Sequence, residues 1–441
     1  MTSTLVARRS AAPLYWLALG TFAIGTEGFM IAPLLPDLAA DLSVSVVRAG
    51  QLVTVFALTY ALSSPILTAL TGSFDRRKLL IGAMLAFGLA NVVAWSAPSY
   101  WALMGARILL AMSAGLYVPS ANGLATSLLE PERRGTALAI VTGGTSVAVA
   151  LGVPLGAMVG DRFGWRLTFA AVGILALMAT TGLLTGLARD VARGLPVASL
   201  RERIAVVRQP GVLKALSITL LWGTGAYAVY TYLALYLAAV TGMTGAYVSA
   251  VLFLWGVSAA AGIFVGGTLT DRLGFRTVIT VSLAVLALAF VSLSVSAGLL
   301  SRSSAFVPVV AAIIIWGLSA WSFFPAQQAQ LISIAGMKLA PVVLSLNASF
   351  MFMGFSLGAV IGALTLAHGS PADLGWMGSL CVIAALLVMV GTSRRARVPN
   401  APFPSRPRRH TIEGLPPQEQ TGKGTSPAAG ARDAMMVRST T

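Results

Sequence analysis

Apolar runs of membrane-spanning length recur along this chain, and they constrain it more than any motif does. A helix needs about 20 mostly apolar residues to cross a bilayer. Such runs are read at 13–36, 50–71, 79–97, 101–127, 136–159, 167–187, 214–239, 247–270, 277–299, 306–331, 341–366 and 374–392. Only 10% of the residues are charged and 57% are hydrophobic, whereas soluble domains carry about 25% charged residues. Lipid offers no hydrogen bonds to an exposed backbone, so apolar spans of this length read as helices. The expected fold class is an all-α membrane protein with twelve transmembrane helices.

The basic residues set the expected orientation. Of the 30 Lys and Arg residues, Arg48, Arg162, Arg166 and Arg302 fall on one side and Arg107 falls within a span. All the others fall on the opposite side, which the positive-inside rule makes cytoplasmic together with both termini. The net charge of +16 is therefore a topology signal, and no nucleic-acid partner is expected. The expected segments are a cytoplasmic N-tail (1–12), a six-helix half (13–187), a cytoplasmic linker (188–213), a second six-helix half (214–392) and a disordered cytoplasmic tail (393–441). Arg8 and Arg9 precede the first apolar run as in a signal peptide, but that run is too long for a signal core and contains Glu27, so no cleavage is expected.

The side-chain inventory excludes much chemistry. One cysteine, Cys381, makes no intrachain disulfide, and two histidines are too few for a metal cluster. Walker and HExxH signatures are absent. No enzyme, metal or cofactor is expected.

Two residues stand out by cost. Glu27, in GTEGFMIAPLLPDL (25–38), is the only acid deep in a span, and Arg107 is the only deep base. Intramembrane charges are rare and functional by default. Glu27 reads either as a site that takes up and releases a proton or as a structural hydrogen-bonding group. On straight helices of 1.5 Å rise per residue, both residues fall in the outer half of the bilayer. They pair if their helices are neighbours. The pair reads as a coupling device disturbed by substrate or as a fixed tie between spans.

Other patterns carry two readings as well. Gly144, Gly152, Gly156 and Gly160 put one face of span five in close reach of another helix, and Pro154 permits a bend. Tight packing is the reading the physics supports. Aromatics crowd the second half. Phe29, Tyr227, Tyr230, Trp316 and Phe350, with Gln327, Gln328 and Asn347 as polar handles, are candidates for a substrate cavity; many aromatics also belong in lipid-facing belts.

The loop GSFDRRK (72–78) and the loop GTLTDRLGFR (267–276) place Asp-Arg at corresponding helix ends, six spans apart. A chain of two similar halves follows. The pattern at Gly267, Asp271, Arg272, Gly274 and Arg276 resembles the signature loop of the major facilitator superfamily. The first copy, at Asp75, Arg76 and Arg77, lacks the second glycine and looks like the form found in bacterial twelve-span drug:proton antiporters and sugar-efflux relatives, chloramphenicol-efflux proteins among them. GTEGFMIAPLLPDLAADL, Arg107 in GARILLAMSAG, and Gly152, Pro154 and Gly156 before GWR are similar to that subgroup's span motifs, although the usual final double glycine of span five is here Gly156 and Ala157. The resemblance covers roughly 13–392 and implies a major facilitator fold, alternating access and a proton gradient as the energy source. It further implies a monomer in the cell (inner) membrane that exports small hydrophobic compounds, and it gives the loop and span-five residues gating roles. Sugars, purines or another metabolite are the alternative cargo, and a non-transporting membrane sensor is the alternative of a different class.

Overall fold

The computed structural model describes residues 12–129, 133–187 and 199–393. The helices run α1 (Ala12–Met30), α2 (Leu35–Asp41), α3 (Val46–Leu70), α4 (Arg76–Trp95), α5 (Tyr100–Leu128), α6 (Arg134–Val147), α7 (Val153–Phe163) and α8 (Trp165–Gly186). They continue with α9 (Leu200–Val207), α10 (Pro210–Tyr230), α11 (Leu233–Thr241), α12 (Ala246–Leu273), α13 (Phe275–Leu299), α14 (Arg302–Ala335), α15 (Ala340–His368) and α16 (Leu374–Ser393). No strand occurs among the described residues. Eleven helices are long and apolar enough to cross a membrane, and the bent pair α1–α2 makes twelve. The expected N-tail before residue 12, the linker residues 188–198 and the expected disordered tail beyond 393 lie outside the described residues.

Start signals are local. Ser45 accepts a hydrogen bond from the Arg48 amide at 3.2 Å, Asp75 from Lys78 at 3.1 Å and Ser99 from Ala102 at 3.4 Å. Each satisfies a backbone donor that the first turn of a helix leaves free. Asp75, read as a gating residue, is thus also the N-cap of α4.

Span one departs from the expected continuous helix at 13–36. It stops at Met30 and resumes at Leu35 with a 68° bend. Pro33 and Pro36 explain the break, because proline donates no backbone hydrogen bond and biases the residue before it away from helix. The expected single span at 214–239 is likewise two helices, α10 and α11, interrupted at Thr231 and Tyr232. Tyr232 Oη donates to the Ala359 carbonyl at 3.2 Å and Tyr236 Oη to Leu293 at 2.7 Å, fixing the chain at that break and one turn after it.

Span five is interrupted differently. A π-helical turn at Ala148–Gly152 joins α6 to α7, and the Val153 amide donates to Ala148 five residues back. Pro154 follows directly; it cannot complete the ordinary α-helical ladder, and the wider turn absorbs the mismatch. The glycines of this span lie on α1. A Cβ at Gly144 would collide with the Ala18 carbonyl, one at Gly152 with Thr26 Oγ1 and one at Gly160 with Leu34; one at Gly156 would come within 3.1 Å of Met30 Cβ.

The order Asp-Arg-x-Gly-x-Arg occurs twice in full. It closes α12 at 271–276 and also closes α7 at 161–166. Gly274 and Gly164 both take positive φ, +80° and +85°, which glycine adopts without steric cost. The chain therefore repeats at the level of three helices as well as six. The remaining loop arginines have fixed partners. Arg77 donates to the Leu187 and Leu184 carbonyls at 2.9 and 2.6 Å, capping the end of α8, and Arg76 is buried and donates to Gly72 at 3.4 Å. Asp271, Arg272 and Arg276 are exposed.

The halves meet along two seams: α3 packs against α15, and α12 packs against α7 and the π turn. A Cβ at Gly256 would lie 2.5 Å from the Val149 carbonyl oxygen, so only glycine permits that approach.

Replacing Gly152 with leucine should drive a side chain into Thr26 and lower stability by about 1–3 kcal/mol. Gly143, which has open space where its Cβ would point, should accept alanine with no loss. Thermal unfolding of the purified protein in detergent reads both; equal effects would rule out the close approach of span five to α1.

Candidate functional site

Glu27 sits in the last turn of α1, not well inside a straight span as the sequence spacing implied. Its side chain is fully buried and paired with Arg107 on α5, whose Nη1 donates to Glu27 Oε1. The fully buried guanidinium is held from two more directions. Its Nε donates to the Leu52 carbonyl at 3.2 Å, and the ring of Phe56 lies 4.1 Å beneath it. Leu52 and Phe56 are one turn apart on α3, so a single helix face supplies both contacts.

The break after Met30 makes the site more negative. A helix that ends leaves its last four carbonyls without intrahelical partners and carries a partial negative charge there. Glu27 adds a carboxylate at the same end. Arg107 is the countercharge to both. A hydroxyl from the other half takes one of the freed carbonyls: Tyr230 Oη donates to Phe29 O at 3.1 Å. Glu27 Oε2 and Arg107 Nη2 are buried and have no hydrogen-bond partner among the described residues.

Aromatic rings close over the pair from the second half. Phe29 contacts Tyr227, Tyr230, Trp321 and Phe355, with ring centroids 6.1–6.2 Å apart. Tyr227 stacks on Phe355 at 3.7 Å. Beside them Tyr60 stacks on Phe352 at 3.8 Å, and Ser356 Oγ donates to the Thr54 carbonyl at 3.1 Å. Ring contacts of this kind add about 0.5–1.5 kcal/mol each beyond area burial. The result is a plug of side chains from both halves, next to the sole buried ion pair among the described residues.

Phe29, Tyr227 and Tyr230 thus meet at one place, together with Glu27 and Arg107. The other candidates go elsewhere. Trp316 is buried within the second half against Tyr230, Trp255 and Phe290. Gln327 and Asn347 are knitted through Thr219: Gln327 Nε2 donates to Thr219 Oγ1 at 2.9 Å, and Thr219 donates to Asn347 Oδ1 at 2.7 Å. That network ties α10, α14 and α15 together; only Gln327 Oε1 is left over. Gln328 is half-buried, and Phe350 packs on a separate apolar cluster with Val343 and Leu346.

The sequence reading did not name Leu52 and Phe56 as site residues. Phe56 had a weak signal, its one-turn spacing from Leu52. An α3 that is apolar on nearly every face hides which face looks inward. No cluster of three or more potential metal ligands occurs among the described residues.

Comparison with known proteins agrees with this architecture. The sequence profile described as Major Facilitator Superfamily matches residues 17–359. An uncharacterized MFS-type transporter, YbcL of Bacillus subtilis, is 34% identical over 87% of this chain and 97% of its own. The chloramphenicol resistance protein of Streptomyces lividans is 32% identical over 85% of this chain and 95% of its own. The inner membrane transport protein YdhP of Escherichia coli is 29% identical over 87% and 96%. The family and these relatives are those of transporters and not of enzymes. With its bent and paired apolar spans, its repeated loop signature and a match over most of its length, this multi-pass membrane protein belongs to the major facilitator superfamily.

Proposed function

We propose that the protein is a proton-coupled antiporter of the cell membrane, acting as a monomer with both termini cytoplasmic, that exports small hydrophobic compounds. Chloramphenicol-type drugs are the first substrates to test, in line with the name of the Streptomyces lividans relative. The observation that carries the reading is the buried Glu27–Arg107 pair with one oxygen and one nitrogen still unengaged, under a plug of rings from the opposite half.

The chemistry follows from those atoms. Glu27 Oε2 is the atom that takes the proton. A neutral Glu27 no longer holds Arg107, which keeps its contacts to Leu52 O and the Phe56 ring. A substrate seated against Phe29, Tyr227 and Phe355 displaces the rings that close the site and competes for Arg107. Proton uptake at Glu27 and substrate at Arg107 are thereby linked through one guanidinium, the coupling that proton-driven transport needs. With the Asp75 face cytoplasmic, the ring plug and the Tyr230–Phe29 bond lie toward the outside. That arrangement supports a state closed outward.

The loop residues take roles consistent with alternation. Arg76 and Arg77 travel with the first half, to which they are bonded. Asp271, Arg272 and Arg276, shaped by Gly267 and Gly274, are the exposed set that engages when the cytoplasmic side closes. The π turn before Pro154, with Gly152 and Gly156, is where span five bends against α1.

Two measurements test this. Cells expressing the wild type should accumulate less chloramphenicol than controls, and an uncoupler should abolish the difference. Glu27→Gln should raise accumulation to the control level. Glu27→Gln that exports like wild type defeats the proton role, and a wild type that alters no compound in a broad hydrophobic panel defeats the efflux reading. Separately, Arg107→Ala should cost about 3–5 kcal/mol of stability by leaving a buried carboxylate unpaired. Adding Glu27→Gln to it should recover most of that loss, because the uncompensated charge is gone; chemical denaturation of the two variants reads the difference.

A further inference from the structure

The segment between the halves was expected to be a plain polar linker, but it contains a helix. In α9, Ser199 and Glu202 form a reciprocal capping box, and the Ser199 backbone amide, with its hydroxyl second, holds the Glu202 carboxyl below the usual range. One face of α9 is turned into the protein. Arg203 and Val206 are buried, and Arg203 Nη1 donates to Ser345 Oγ of α15 at 2.9 Å. The same short helix touches α10 and α15 of the second half and α3 of the first.

The other face is covered by none of the described residues. Leu200, Arg201, Ile204, Ala205 and Arg208 line one shallow surface, at the spacing of a single helix face. Leu200 is 44% and Ile204 46% exposed. The face carries two guanidinium groups and no acid, since Glu202 is committed to its cap. Its position leaves little choice of surroundings. Only Arg208 and Gln209 separate α9 from Pro210, the first residue of the membrane span α10. A helix tied that closely to a span rests at headgroup level. Two apolar side chains flanked by cations are what an interfacial helix presents to an anionic lipid surface.

We propose that α9 is a lipid-binding lever: its Leu200–Ile204 edge seats in the interface while Arg201 and Arg208 bind the headgroup phosphates of anionic phospholipid in the adjoining leaflet. Because α9 also contacts both halves, lipid bound there favours whichever arrangement keeps α9 on α3 and α15 together. This goes beyond the transport reading and does not depend on it.

The test places a bimane label at Ala205→Cys in a Cys381→Ser background of the full chain. The protein is reconstituted in vesicles of phosphatidylcholine and phosphatidylglycerol in fixed ratio. In one set the phosphatidylglycerol chains are brominated, in the other the phosphatidylcholine chains, so quenching reports which lipid sits at α9. Wild type should show local enrichment of phosphatidylglycerol, with about fivefold contributed by each arginine. Arg201→Gln/Arg208→Gln should bring the ratio close to one, and Leu200→Gln/Ile204→Gln should lower quenching by both lipids. Raising salt to about 1 M, where the screening length is about 3 Å, should abolish the wild-type enrichment, a check that needs no variant to fold. Equal quenching by the two lipids in wild type, enrichment that survives in the double arginine variant, or no quenching by either lipid would each overturn the proposal. The last result would leave α9 facing water, free for an acidic soluble partner instead.

Discussion

A carboxylate and a guanidinium withdrawn from water together are the constraint around which the bundle is arranged. Each costs several kcal/mol to desolvate, and their attraction offsets this only when the geometry is good and further hydrogen bonds are made. Here Arg107 draws on Glu27, the Leu52 carbonyl and the Phe56 ring at once. Three helices must hold register to supply them. The break in span one sharpens the demand, since it places the carboxylate at a helix end that is already negative. A continuous helix would have made Arg107 less necessary and would have left Tyr230 no free carbonyl at Phe29.

The glycine face of span five serves the same centre. It lets α6, the π turn and α7 lie directly on α1, with Gly152 against Thr26, the neighbour of Glu27 in sequence. Any movement of that π turn is felt one residue from the ion pair. On its other side the turn meets Gly256 of α12, across the seam between halves. Span five is thus the mechanical link between the charged site and the second half. The link is made at glycines, whose lack of a side chain leaves little slack on the span-five side.

Much of this could be read from particular residues. Glu27 and Arg107 were singled out because each is a lone deep charge, and the physics of hydrocarbon allows few reasons for either. Gly144, Gly152, Gly156 and Gly160 marked a face bare enough for a neighbour, and α1 is the neighbour. The aromatics were harder. Phe29, Tyr227 and Tyr230 share a site, while Trp316 and Phe350 do not, and nothing in the spacing of one apolar helix says which ring faces the centre. Lipid-facing and core-facing positions are equally apolar, so the hydrophobic periodicity that sorts a soluble helix is nearly silent here. Gln327 and Asn347 meet through Thr219 for a related reason. A polar side chain in a span must find a partner, and Thr219 met that need inside one half.

By itself the sequence determined the solvent, the number of spans, the repeat of the two halves and the identity of the two costly charges. Those follow from composition, length and the uneven placement of Lys and Arg, which are properties of the chain before it folds. The tertiary structure alone decided that the charges pair at the broken end of α1, that Phe56 lies beneath them, that Phe29 and the rings around it close the site, and that α9 shows its apolar and basic edge outward. Each of these depends on which helix faces become neighbours. In a chain apolar on nearly every face, close packing makes that choice, through the few positions where glycine, proline or a buried charge leaves only one arrangement open.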